Sequence, residues 1–172
     1  MNFNKLFFTF GSLLMLLGCQ STSVERESIF SLDLDERNGI KSYQKGEYKK
    51  SFELLKKPAA WGYKGAQYTI AFMFLKGQYV QQSSLMGMGW LGVATEVETE
   101  GWSEQYRAFY SAASKEQKLK IDKIVKVYIE RYGMKSQHIT CKKSPTTRTR
   151  RVEHVCRKSE NLSVIYPVDL VE

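Results

Sequence analysis

Residues 66–94 read AQYTIAFMFLKGQYVQQSSLMGMGWLGVA, and their pattern predicts the architecture of the chain. The apolar side chains recur at helical spacing, and the interruptions are glycines rather than the turn residues that separate strands. The same pattern extends outward from Ile40 to Ser114. With 172 residues, of which 42% are hydrophobic and 26% are charged, the chain is able to bury a core, which excludes wholesale disorder. The sequence therefore predicts a mainly α-helical globular protein.

The small and aromatic residues of this stretch resemble a Sel-one-like repeat, a relative of the tetratricopeptide repeat. The matching positions are Ala66, Ile70, Ala71, Phe74, Gly77, Val80, Gly87, Trp90, Ala94 and Gly101. A degenerate copy precedes this unit and closes at Gly62, which is 39 residues before Gly101. A partial third unit starts at Trp102 and keeps one helix, Glu104 to Ala113. The resemblance implies a short α-solenoid of helical hairpins and the role of an adaptor in larger assemblies.

One predicted helix contains three glycines, Gly87, Gly89 and Gly92. Each lowers the helix propensity by up to about 1 kcal/mol, and we interpret them as sites of close helix packing.

A further helix is predicted after the repeats. Ser114 to Gln117 has the form of a capping box. The apolar residues that follow at three- and four-residue steps predict a capping helix that ends at Gly133: Ile121, Ile124, Val125, Tyr128, Ile129 and Tyr132.

The N-terminus predicts export from the cytoplasm. Lys5 is followed by an apolar run from Leu6 to Leu17, which is too short for a permanent membrane span of about 20 residues. The run ends in Gly18-Cys19, which resembles the lipobox of bacterial lipoproteins and implies that Cys19 carries the lipid, palmitate among its acyl chains. Gln20 in place of Asp implies the outer membrane, facing the periplasm. Nucleic acid is therefore not an expected partner.

The predicted organisation has four parts: a signal peptide (1–18), a polar tether (19–31), a helical repeat domain (32–133), and a basic β-hairpin with a tail (134–172). In the last part, Gln137 to Lys142 and Arg151 to Arg157 are β-prone, and Leu162 to Tyr166 could add a third strand. Pro167 and the acidic end of the chain predict an irregular tail.

Cys141 and Cys156 are the two remaining cysteines. In an oxidising compartment they are expected to form a disulfide that staples the hairpin. The competing interpretation is a zinc site with His138 and His154. It is disfavoured because strand geometry directs His138 and Cys141 to opposite faces. We expect neither a metal nor a cofactor.

Residues 135–158 hold eight Lys and Arg against Glu153 alone, a net charge of +7 out of +8 for the whole chain. One interpretation is that Arg148, Arg150 and Arg151 contact an anionic envelope polymer or lipid, because guanidinium groups pair with phosphate and carboxylate. The other is that these charges keep an exposed hairpin soluble and protect its edges.

Most of the aromatic residues are expected in helix interfaces: Tyr43, Phe52, Trp61, Tyr68, Phe72, Phe74, Trp90 and Trp102. A binding groove would be lined by the first helix of each unit, with Tyr43, Gln67, Phe72 and Tyr106 as possible contacts. The sequence contains no G-x-S-x-G, G-x-x-x-x-G-K-[ST] or H-E-x-x-H motif. We therefore expect a non-catalytic lipoprotein that binds an envelope or periplasmic protein, and the alternative is the anion binder.

Overall fold

The computed structural model describes residues 23–26, 28–145, 152–159 and 162–170. Within these ranges the helices are α1 (Ile29–Gln44), α2 (Tyr48–Ala60), α3 (Lys64–Lys76), α4 (Ser84–Ala94), α5 (Glu100–Ala112) and α6 (Lys115–Tyr132). The strands are β1 (Ser23–Arg26), β2 (Ile139–Pro145), β3 (Val152–Lys158) and β4 (Leu162–Ile165). The prediction of a mainly α-helical chain with a small C-terminal hairpin is confirmed.

Short connections set consecutive helices side by side. α1 packs on α2, α2 on α3, and α3 on α4, and the first two connections are only three residues long. Gly62 and Gly77 follow the C-terminal ends of α2 and α3 with φ values of 88° and 65°. This left-handed conformation penalises a Cβ, so glycine allows each helix to end abruptly and the chain to turn back.

α4 lies at the centre of the helical layer, and every residue from Met86 to Ala94 is buried. Its glycines allow three close approaches. A Cβ at Gly87 would lie 2.6 Å from Leu75 of α3, one at Gly89 would lie 3.0 Å from the Tyr128 ring of α6, and one at Gly92 would lie 2.5 Å from Val125 of α6. The interpretation of these glycines as sites of close helix packing is confirmed.

α6 forms as the sequence predicts. Ser114 Oγ accepts a hydrogen bond from the Gln117 backbone N–H, and the Gln117 side chain accepts one from the Ser114 N–H, which completes the capping box. Ile121, Tyr128 and Tyr132 are buried against α4. Ile129, expected on the same apolar face, is 38% exposed. Gly133 follows the last helical residue.

The structure does not reproduce the spacing used to align the units. α1, α3 and α5 begin at residues 29, 64 and 100, so their starts are 35 and 36 residues apart. Gly62 has a positive φ and follows the end of α2, whereas Gly101 lies inside the first turn of α5. α5 also begins four residues before the predicted Glu104. These two glycines therefore do not occupy equivalent positions.

The strands form two separate two-stranded antiparallel sheets. β2 pairs with β3, and Cys141 lies directly opposite Cys156, to which it is disulfide-bonded. The predicted disulfide is thus confirmed. β4 does not extend this hairpin, because it pairs with β1 through Ser23 opposite Ile165 and Arg26 opposite Leu162. Part of the expected polar tether (19–31) is therefore a strand, and α1 begins inside it at Ile29.

The hairpin and the tail pack against the helices. Ile139 is buried under Gly62, and the buried Lys158 ammonium lies 4.9 Å from the ring centroid of Trp61. Residues 166–170 have no regular structure, as predicted, but Tyr132 Oη donates to the Pro167 carbonyl at 2.8 Å. No helix in the described ranges is long and apolar enough to cross a membrane.

Candidate functional site

A groove of about 720 Å³ opens where α3, α4, α5 and α6 meet. It lies between the C-terminal half of α3, the start of α4 and the junction of α5 with α6. The large apolar side chains that line it are Phe72, Leu75, Leu85, Met88, Phe109 and Ile121. Its volume lies within the range typical of ligand clefts, about 300–1,000 Å³. We refer to it as the helical groove.

Aromatic side chains continue from the helical groove along the surface between α3 and α5. Phe72 and Phe109 meet edge to face with centroids 6.5 Å apart. The rings of Tyr68 and Trp102 are stacked, with centroids 4.4 Å apart and an angle of 14° between the ring planes. The Tyr68 hydroxyl donates a hydrogen bond to the Gln105 side-chain oxygen. Phe109 is 44% exposed. A partner would therefore meet rigid aromatic surface, which gives contact area at a low cost in side-chain entropy.

The expectation that most of these aromatic residues lie in helix interfaces is confirmed. Phe52, Trp61, Phe74 and Trp90 are buried, as predicted. The other four, which lie on α1, α3 and α5, are only partly buried: Tyr43, Tyr68, Phe72 and Trp102. Tyr43, Tyr68 and Phe72 still pack against the core, and Trp102 of α5 stacks on Tyr68 of α3.

The charge around the helical groove has one sign. Lys76 and Lys120 line it, and Lys76 Nζ lies 5.5 Å from the Phe72 ring centroid. None of the described residues that line the groove is Asp or Glu. The arrangement suits a peptide segment in which apolar side chains are next to Asp or Glu.

The predicted groove contacts have different outcomes. Phe72 lines the groove, but Tyr43 and Tyr106 do not. Tyr106 packs instead against Gly92. Its pKa is raised to about 12, mainly by burial and to a smaller extent by the nearby Asp122 and Tyr110. Gln67 is fully buried and unable to contact a partner. Phe109 was missed, although its distance of three and seven residues from Tyr106 and Trp102 places it on their helix face.

Gln67 belongs to a buried polar network that joins four helices, α2, α3, α4 and α6. Lys64 Nζ donates to Gln67 Oε1 at 2.9 Å, to the Val93 carbonyl at 2.9 Å and to Glu96 Oε2 at 2.7 Å. The Gln67 amide donates to the carbonyls of Ala59 and Tyr132, both at 2.9 Å. Burial lowers the pKa of Lys64, and the Glu96 carboxylate opposes that shift. Because its members satisfy one another, this network is structural.

A second cleft, of about 820 Å³, lies between the start of α3, the α4–α5 connection and the hairpin. Both signs of charge line it, including Glu36, Glu98 and Lys143. Glu36 Oε1 accepts a hydrogen bond from the Ala66 N–H at 3.0 Å, so this carboxylate caps the start of α3. The mixture of charges gives the cleft no evident preference for one ligand class.

The disulfide uses the two thiols that a zinc site would have needed. In the ranges that the structure describes, no group of three or more His, Cys, Asp and Glu side chains could hold a metal ion. Cys19 and the predicted signal peptide (1–18) lie outside the described residues, as do the predicted anion contacts Arg148, Arg150 and Arg151.

A comparison with protein-family models found no match, and comparisons with curated proteins and with solved structures found no similar chain.

Proposed function

We propose that this protein is a non-catalytic adaptor of the bacterial envelope that docks another protein in the helical groove. The bound segment carries apolar side chains flanked by Asp or Glu. The observation that carries the proposal is an apolar groove lined by Lys76 and Lys120, with no acid among its described lining residues. Apolar contact supplies the affinity, and the two ammonium groups select an acidic partner.

The repeat assignment supports an adaptor. Ala66, Ile70, Ala71 and Phe74 occupy the Sel-one-like positions of α3, and all four are fully buried. Such burial is what a repeat signature requires, because its residues pack neighbouring helices together. Under this proposal the chain is a short solenoid of two helical hairpins, α1–α2 and α3–α4, followed by α5 as a partial third unit and by α6 as the capping helix. The spacing of the units departs from the 39 residues between the aligned glycines. The role of adaptor comes from the resemblance.

The location is part of the same proposal. Acylation at Cys19 anchors the chain in the outer membrane and leaves the helices in the periplasm. The Cys141–Cys156 disulfide supports an oxidising compartment. The test is incorporation of labelled palmitate in cells, which we expect for the natural chain and not for Cys19→Ser. A natural chain that stays unlabelled would exclude the anchor without bearing on the groove.

Site-specific photocrosslinking in intact cells tests the groove. A photoreactive amino acid replaces Phe109 in the groove or, as a control, Lys49 on α2. We expect a partner to be captured from position 109 only, and the crosslinked peptide of that partner to contain apolar residues next to Asp or Glu. Equal capture from both positions, or a crosslinked peptide without acidic residues, would contradict the proposal.

Charge reversal supplies the quantitative test. A synthetic peptide with the captured sequence is titrated into the chain and into a Lys76→Glu/Lys120→Glu variant. We expect the reversal to weaken binding by at least about tenfold, because like charges then face each other. A Lys49→Glu/Lys50→Glu variant has the same net charge, and we expect it to bind like the natural chain. Equal losses in both variants would indicate a nonspecific charge effect.

A further inference from the structure

The two faces of the β2–β3 hairpin have different surroundings. Ile139 and Lys158 are direct cross-strand partners, and both are buried on the face that packs against Trp61 and Gly62. Thr140 and Arg157 form the next pair, and both are exposed. Since successive side chains of a strand point to opposite faces, Thr140, Lys142 and Ser144 share the outer face with Arg157.

A concavity of about 430 Å³ lies on this outer face. The side chains that line it are Thr140, Lys142, Ser144, Arg157 and Ser159. They comprise two cations and three hydroxyls. The Ser159 hydroxyl already donates to the His138 carbonyl at 3.0 Å. Ser144 lies four residues, about 13 Å, along β2 from Thr140, so Thr140 is the hydroxyl donor beside Arg157. We refer to this surface as the outer hairpin face.

This set of groups suits a tetrahedral oxyanion. A guanidinium binds two phosphate oxygens at once, an ammonium adds a point charge, and hydroxyls donate to the remaining oxygens. Among the described residues of the lining there is no carboxylate. The register places the one acid of β3, Glu153, opposite Ser144 and four residues from Arg157, about 13 Å along the strand.

The disulfide fixes the spacing of the two cations. Cys141 and Cys156 are opposite each other, and Lys142 and Arg157 are the residues that follow them. A slip of the strands by one residue would send one of these side chains to the inner face. The covalent link prevents such a slip, so the oxyanion site is preorganised on the oxidised chain.

The strand pairing places this face close to the chain's own anchor. Ser23, the first residue of β1, is four residues after Cys19, and four residues span at most about 14 Å. β1 pairs with β4, which begins four residues after the end of β3 at Lys158. An acylated Cys19 therefore holds the β1–β4 sheet at the bilayer, with the hairpin next to it. The phosphates nearest to the outer hairpin face are then those of lipid head groups.

We infer that the outer hairpin face is a phosphate-binding site that takes the head group of an anionic phospholipid in the membrane that anchors the chain. The choice of a lipid as the source of phosphate rests on the anchor described under the proposed function, whereas the oxyanion chemistry does not. Lys142 and Arg157 supply the charge. Thr140, directly opposite Arg157, supplies a hydrogen bond.

The test uses the ¹⁵N-labelled full chain in micelles of a nonionic detergent. Short-chain phosphatidylglycerol is added, and the amide chemical shifts of Thr140, Lys142 and Arg157 are followed. We expect saturable shifts, with half-saturation raised about fivefold for Lys142→Ala and for Arg157→Ala. Lys123→Ala and Lys126→Ala remove equal charge from exposed positions of α6, and we expect both to bind like the natural chain.

Other outcomes would contradict either the site or its ligand. No saturable shift, or equal weakening in all four variants, would overturn the site. Inorganic phosphate that binds at least as tightly as phosphatidylglycerol would overturn the lipid as the ligand. None of these results depends on acylation or on the helical groove, so they are separable from a failure of palmitate labelling or of photocrosslinking.

Discussion

Gly92 shows how single residues set the packing of this protein. In a solvated helix a glycine costs up to about 1 kcal/mol relative to alanine. At Gly92 the added methyl would instead lie 2.5 Å from a methyl carbon of Val125, inside contact distance. Steric overlap therefore outweighs helix propensity at Gly92. Helix propensity should determine the effect of an alanine substitution only where no atom lies near the added Cβ.

Alanine at the two kinds of glycine position separates these effects. We expect Gly92→Ala to destabilise the protein by about 2 kcal/mol, because overpacking of a core costs about 1–3 kcal/mol. Gly101→Ala is the control, since nothing lies within 4 Å of its added Cβ, and we expect it to stabilise by about 0.5 kcal/mol. Urea unfolding followed by circular dichroism measures both. Changes of the same sign would refute the packing argument.

Glu36 predicts a pH dependence. Burial, partly offset by the Ala66 N–H, raises the pKa of this carboxyl above 4.5. The folded state then binds more protons than the unfolded state between pH 4.5 and the raised pKa, so this group reduces stability as pH rises through that window. We expect Glu36→Gln, which keeps a hydrogen-bond acceptor, to be more stable than the natural chain at pH 7. Thermal unfolding below pH 4.5 should show no such advantage; a gain equal at both pH values would contradict the assignment.

At the scale of elements, the Lys64 network joins α3 to the ends of α4 and α6. Glu96 Oε2 accepts from Lys64 and also from the Met134 N–H at 2.9 Å. The Lys64 side chain is 3% exposed and that of Glu96 is 20% exposed. The lysine therefore depends on its counter-charge more than the carboxylate does, because water still reaches the carboxylate.

Removing Glu96 and removing Lys64 should lower the free energy of unfolding by different amounts. We expect Glu96→Gln to cost about 3 kcal/mol, because it leaves a buried ammonium without a counter-charge. Lys64→Met should cost less, since the remaining carboxylate keeps the Met134 N–H and some solvent. Urea unfolding at neutral pH measures the order. Greater damage from Lys64→Met would mean that packing of the lysine stem, rather than its charge, holds the three helices together.

On the scale of the whole molecule, the two proposed surfaces lie toward opposite ends of α6. The helical groove includes Ile121, whereas β2 of the hairpin begins at Ile139, seven residues after α6 ends at Tyr132. Eleven residues of helix separate these points by about 16 Å. An anchored chain would thus keep its hairpin at the bilayer and present the groove toward the periplasm.

This orientation is measurable in a lipid bilayer. The acylated chain is placed in nanodiscs that contain a lipid with a paramagnetic head group. We expect the amide signals of Thr140 and Arg157 to broaden more than those of Gln117 and Leu119, because the hairpin lies nearer to the head groups. Equal broadening, or the reverse order, would contradict an orientation with the hairpin at the membrane.

Much of the fold was predictable because it depends on residues that are close in sequence. Helical periodicity, the capping box at Ser114 and the end of α6 at Gly133 reflect interactions within a few positions. The disulfide followed from two thiols fifteen residues apart in neighbouring β-prone segments. These are local properties, and a single sequence contains them in full.

Tertiary structure alone decided the pairing of β1 with β4, the burial of Gln67, and the exposure of the aromatic surface between α3 and α5. Each depends on which elements meet across long stretches of chain, and a helical or strand pattern does not specify its partner. Gln67 and Tyr68 are neighbours with the same local signals, yet one is sealed among three helices and the other stacks on Trp102 at the surface. Packing between distant segments makes that difference, since burial is a property of the assembled helices.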